Sequence, residues 1–225
     1  MRAVHRRWVM DQGMVVLLAL GATSLGPGDL QGARLSEDAN ALEAWRGVVS
    51  GADSGFGNLL SVTVDYAVYA PGAYPGQDPS GSGEYVYAYQ LTNEADSTVG
   101  AVSFSVGLRD ASGGHHFGDD VSAQASGLSP GVRPYLAFEA SSSAMWLFAD
   151  AGDGPVARGE NSSVLLVTSP NPPAWNRSQV ADGGLSVAPG DLPSPLPEPS
   201  SVLLVGLAFY GALVRRAGGR KGMRT

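Results

Sequence analysis

The sequence predicts an all-β fold, an antiparallel β-sandwich of jelly-roll-like build, and three observations carry that prediction. Apolar residues in the middle of the chain recur with period two, which places them on one face of a strand. The gaps between these runs are rich in Gly, Pro, Asp, Asn and Ser, the residues that supply turn geometry. Only one stretch shows helical spacing. The chain has no cysteine, so the domain has to be held by its core rather than by disulfides.

Taken in order, Ser36 to Arg46 is the expected helix. Ser36 suits the cap, Glu37 and Asp38 the first turn, and Ala39, Leu42, Ala44 and Trp45 the body that follows. Strand patterns come next. Val62, Val64, Tyr66 and Val68 alternate with smaller or polar residues, as do Tyr85, Tyr87, Tyr89 and Leu91, and then Val102, Phe104, Val106 and Leu108. Shorter candidates are 135–139, 144–148 and 163–168. One domain over 25–187 suffices, because a chain of that size buries roughly 70% of its unfolded surface. From Ala188 to Pro199 proline becomes frequent, which predicts an extended spacer.

The two ends are unlike the middle. Residues 1–10 carry Arg2, Arg6 and Arg7, residues 14–20 are wholly apolar, and Gly21 to Ser24 are small. That order predicts a secretory signal peptide over 1–24, cut after Ser24. The adjacent arginines Arg6 and Arg7 leave both the general and the twin-arginine export routes open. At the other end Pro197-Glu198-Pro199 leads into an uncharged apolar run from Val202 to Val214. Behind it stand Arg215, Arg216, Arg220, Lys221 and Arg224, with no acid among them. A helix over Ser200 to Val214 is about 22 Å long, short of a hydrocarbon core of about 30 Å. One more turn and snorkelling arginine stems make up the difference. Residues 200–225 therefore read as a single transmembrane helix whose basic tail stays cytoplasmic.

This succession of motif, apolar run and basic end resembles the PEP-CTERM sorting signal of exported proteins in Gram-negative bacteria. Pro197, Glu198 and Pro199 match the family's motif, and Arg215-Arg216 its basic end. The resemblance implies a membrane-embedded exosortase as processing partner and the inner membrane as a transient anchor. Its implied destination is the cell surface or an extracellular polysaccharide matrix. The stretches around Tyr85 to Asn93 and Ser163 to Pro173 are similar to a β-sandwich found before such signals, and they bring no catalytic residues with them.

Charge narrows the function classes. The whole chain carries −7. Between Leu25 and Leu196 there are six arginines, nineteen acids and no lysine, a net charge of −13. A body so acidic lacks the clustered cations that hold nucleic acid. No sequence pattern calls for a cofactor or a metal. His115 and His116 beside Asp119 and Asp120 make the one local set of ligand-type residues, and a solvated turn between two strands is the expected reading of them. The acids elsewhere stand singly on turns. A glycosidase-like pair across a cleft, or calcium on turn carboxylates, has no motif to support it. Tyr85, Tyr87 and Tyr89 are the candidate ligand-binding residues: one aromatic strand face suits stacking on sugar rings, and it suits a sandwich core too. Trp146 and Trp175 carry the same ambiguity. The expectation is a non-enzymatic surface protein, with a carbohydrate-binding module or a cryptic hydrolase as alternatives.

One outcome follows from the leader alone. Mass spectrometry of the exported protein should find Leu25 as its first residue, and retention of Arg2 in that form refutes the signal-peptide reading.

Overall fold

The computed structural model describes residues 34–81, 83–108, 115–120, 131–140, 142–148 and 153–196. Its eleven strands are β1 Arg46–Gly55, β2 Asn58–Tyr69, β3 Tyr85–Asn93, β4 Ser103–Gly107, β5 His116–Asp120, β6 Leu136–Ala140, β7 Ser143–Leu147, β8 Val164–Ser169, β9 Pro173–Ala181, β10 Ser186–Val187 and β11 Asp191–Pro195. They form two antiparallel sheets. One has the order β1-β2-β3-β8-β5; the other runs β10-β9-β4-β7-β6, with β11 also paired to β9. The all-β, antiparallel expectation holds, and all six strand candidates fall within observed strands to within a residue or two.

The core lies between the sheets. Leu60, Val62, Val64, Tyr66 and Val68 of β2 and Tyr87, Tyr89 and Leu91 of β3 meet Phe104, Val106, Ala144, Trp146 and Val180 from the opposite sheet. Phe104 and Trp146 stack at 5.5 Å between ring centroids, and Tyr89 sets its edge against both at 5.8 Å. Offset and edge-on pairs of this kind add about 1 kcal/mol each beyond the area they bury. The outer face of β2 and β3 is covered as well: Leu35, Ala41 and Tyr74 pack onto Ala67, Tyr69, Val86, Ala88 and Leu166.

That second layer overturns the expected helix. Residues 36–46 form two short 3₁₀ turns, Leu35–Glu37 and Glu43–Trp45, and Arg46 already begins β1. Ser36 gives no side-chain cap; its backbone N–H donates to Asp65 Oδ1 at 2.9 Å. The Leu42 N–H donates to the Val68 carbonyl at 2.8 Å. Both donors are spent on the sheet, so the segment follows the sheet surface instead of winding on itself.

Four strands had no sequence signal, and one was taken for a turn. β1 carries three glycines in ten residues, and the middle of β9 is a polar run, Asn176 to Gln179. β5 takes in His116 to Asp120 and pairs with β8 from His116↔Thr168 to Asp120↔Val164, so the solvated-turn reading is corrected. The spacer is corrected too. Within 188–199, Asp191–Pro195 is strand β11, in register with β9 from Asp191↔Arg177 to Pro195↔Pro173. The domain therefore extends past 187 to Leu196, whose N–H donates to the Pro172 carbonyl at 3.0 Å. Prolines are tolerated there because β11 is an edge strand.

One edge of the sandwich is closed by backbone contact. Gly51 of β1 leaves no room for a side chain: a Cβ would stand 2.9 Å from Val187 and 3.0 Å from the Pro189 Cα. Asp53 Oδ2 accepts the Ser186 N–H at 3.3 Å along the same seam. At the far end of this hairpin Phe56 and Gly57 form a two-residue turn, both with positive φ, +53° and +82°. A phenylalanine in the left-handed region is uncommon, and its side chain is fully exposed.

Among the described residues no helix is long and apolar enough to cross a membrane. The expected signal peptide over 1–24 and the expected transmembrane helix over 200–225 lie outside the described residues.

If β11 belongs to the core, Leu192 is its buried anchor. Leu192→Ala should lower unfolding stability by about 3 kcal/mol, read from urea denaturation, whereas a free spacer would show no change.

Candidate functional site

The tyrosine row is core. Tyr87 and Tyr89 are 0% and 1% exposed, and Tyr85 at the strand's start is half-buried. Each buried ring still satisfies its hydroxyl. Tyr87 Oη donates to the Asn171 carbonyl at 2.7 Å, and Tyr89 Oη to the Pro193 carbonyl at 2.5 Å. Burial pushes both phenols well above their ordinary pKa, so they remain protonated donors. With their faces inside the sandwich, Tyr87 and Tyr89 offer nothing to a sugar ring. The ligand-binding reading of this row is corrected.

The histidine and aspartate segment does not converge either. His115 points inward, its side chain 1% exposed, and its Nδ1 lies 3.4 Å from Glu139 Oε2 on β6. His116 is exposed. Asp119 accepts from Arg133 Nε at 2.8 Å and Nη2 at 3.2 Å, and from the Ser163 hydroxyl at 3.3 Å. Asp120 accepts from Tyr74 Oη and from the Gln77 N–H, both at 3.1 Å. Alternation along β5 puts Asp119 and Asp120 on opposite faces, and His115, Asp119 and Asp120 each engage partners of their own. Among the described residues no three His, Cys, Asp or Glu side chains are grouped so as to hold a metal ion. The bidentate Asp119–Arg133 pair is open to water on the arginine side and contributes little to stability.

Two buried carboxylates hold the outer layer to the sheet. Asp38 accepts from Tyr69 Oη at 2.8 Å and from the Asn40 N–H at 2.9 Å, and the Arg46 guanidinium donates to its carbonyl. Asp65 receives Ser36. Burial raises the Asp65 pKa, against the lowering effect of the Ser36 hydrogen bonds and of the Arg34 charge. Burial first, and the Asp38 charge second, also lift the Tyr69 phenol. These groups have structural partners.

The aromatic cluster that the structure does assemble was legible only in pieces. Trp45, expected on a helix, and Trp175, ambiguous in sequence, lie 5.0 Å apart between centroids at 33°. Tyr66 meets Trp175 edge-on at 6.1 Å. Trp175 is 43% exposed. One lies just before β1 and the other on β9, so no local spacing could pair them.

The sorting-motif residues Pro197, Glu198 and Pro199 and the basic residues Arg215, Arg216, Arg220, Lys221 and Arg224 lie outside the described residues. Comparison of this chain with protein-family models, with curated proteins and with solved structures gives no match.

The Asp65 shift has a defined sign. A carboxyl whose pKa is raised by folding favours the folded state below its ordinary value, and that contribution is lost as pH rises through the folded value. In Asp65→Asn the Oδ1 acceptor for Ser36 is kept and the charge is gone. Relative to the parent, the variant's urea midpoint should improve as pH rises from about 4 to about 7; a change in the opposite direction refutes the assignment.

Proposed function

We propose that this chain is an exported, non-enzymatic protein of the cell surface or of an extracellular polysaccharide matrix, delivered through a PEP-CTERM-type sorting signal. One observation carries the reading: Pro197-Glu198-Pro199, an apolar run to Val214 and five cations without an acid follow one another in the order such a signal requires. In this account an N-terminal signal peptide starts export and the C-terminal helix holds the precursor in the inner membrane. An exosortase-type enzyme then acts near the motif. The body contributes a stable, cysteine-free sandwich of net charge −13, suited to remaining soluble outside the cell. The last residue of the described fold, Leu196, is bonded directly to Pro197, so the enzyme has to reach the motif next to the sandwich rather than at the end of a long tether.

The motif and the cations have separable tasks. Replacing Pro197 and Pro199 with alanine removes the barrier to helix through Glu198 and should leave an unprocessed full-length precursor in the inner membrane. Neutralising Arg215, Arg216, Arg220, Lys221 and Arg224 removes the charge that retains the C-terminus in the cytoplasm and should release the chain or send it to degradation. Fractionation with mass spectrometry of the C-terminus reads both. Normal processing of the alanine variant refutes the sorting-signal reading in favour of a plain anchor.

A further inference from the structure

The two poles of the sandwich differ. β1 and β2 run from Trp45 and Tyr69 at one pole to the Phe56–Gly57 turn at the other, and the β9–β10 turn lies at that second pole, where Gly55 approaches Leu185. The chain leaves the fold at the first pole. There Pro195 pairs with Pro173, Leu196 is hydrogen-bonded to Pro172, and Trp175 sits two pairs inward, opposite Pro193, with Ala174↔Ser194 between. Trp45 packs on Trp175, and the half-buried Tyr85, paired with Ser169, opens β3 at the same pole.

Among the described residues, the β9–β11 side of this pole is poor in charge. Neither Ser169 to Asn176 nor Leu192 to Leu196 contains a single ionisable side chain, in a body that otherwise averages one acid about every nine residues. Glu43, Glu84 and Arg46 border it. Tryptophan and tyrosine, apolar rings with one polar atom, are the side chains that collect at the headgroup layer of a bilayer. Only residues 197–201 separate Leu196 from the apolar run that begins at Val202. Fully extended, those six steps span about 20 Å.

We propose that the pole built from Trp175, Trp45, Pro172 and Pro173 docks on the surface of a zwitterionic lipid bilayer, seating Trp175 among the headgroups. This rests on the reading of residues 200–225 as a membrane anchor. The tether is too short to let the body wander, and the β9–β11 side of the pole, with no ionisable side chain from Ser169 to Asn176, is the part of an acidic body that approaches lipid with the least opposing charge. Docking then directs the Phe56 turn away from the membrane and presents the Pro197 motif at the lipid interface, where a membrane-embedded enzyme works.

The test uses the full chain with Trp8→Phe, to remove the leader tryptophan, in phosphatidylcholine vesicles brominated near the glycerol end of the acyl chains. Flotation confirms association, and tryptophan emission is compared with unbrominated vesicles. Emission should fall by roughly a third, with Trp146 silent in the core and Trp175 at interfacial depth. A further Trp175→Phe exchange should abolish most of that loss, and phosphatidylglycerol vesicles should show less of it. A chain that floats but emits equally in both vesicles overturns the docking while leaving the anchor intact; if Trp175 is then shielded from aqueous acrylamide, a second copy or another molecule covers the pole. A chain that does not float overturns the anchor reading and the docking with it.

Discussion

The structure turns on Tyr89. Its ring stands at the centre of β3, the middle strand of its sheet, and sets its edge against Phe104 and Trp146 of the other. The phenol at the far end of that ring is fully enclosed, and an enclosed hydroxyl without a partner costs about 1–3 kcal/mol. Its partner is the Pro193 carbonyl, 104 residues away. The hydrogen bond thus ties the first sheet to the last strand of the second. Leu192 enters the core beside it, and the inclusion of β11 in the domain follows from this one requirement.

The two seams of the sandwich are closed by different means. Sheet edges carry unpaired backbone groups and invite association with other chains. On the β1 side, Gly51 and Gly190 let the backbones of β1 and the β10–β11 edge come into van der Waals contact, with Asp53 reaching across to Ser186. On the β5 side a side-chain pair takes over: His115 meets Glu139 of β6, and Phe117 extends the aromatic cluster to Trp146. Residue types that suggest a metal site when read along the chain thus serve to join two edges.

The outer layer has the same economy. Leu35 and Ala41 cap the outward face of β2 and β3, and Asp38 and Asp65 supply the acceptors that hold the chain against it. Burying these carboxylates is costly in itself, and the hydrogen bonds from Tyr69, Asn40 and Ser36 offset that cost. Both faces of the central strands are therefore dry, which explains why β8 is buried at all six positions and reads as a continuous apolar run rather than an alternating one.

What the sequence determined by itself was everything that depends on neighbours along the chain. Period-two alternation located β2, β3, β4, β6 and β7, because a buried face is written into every second residue, and a short apolar run located β8. The composition of the two ends, and the succession from Pro197 to Arg224, are likewise properties of the chain as written. What only the tertiary structure decided was each outcome that depends on a distant partner. Strand β1 carries three glycines and β11 three residues of Pro-Ser-Pro in five, so both read as loop although they pair in the sheets. Residues 36–46 have helical spacing, yet Asp65 and Val68 claim their backbone donors. Tyr87 and Tyr89 have the chemistry of a binding face, and Asn171 and Pro193 make them core. Trp45 and Trp175 become neighbours only when β1 and β9 fold to the same pole: contacts between residues 130 positions apart are set by packing, to which local periodicity is blind.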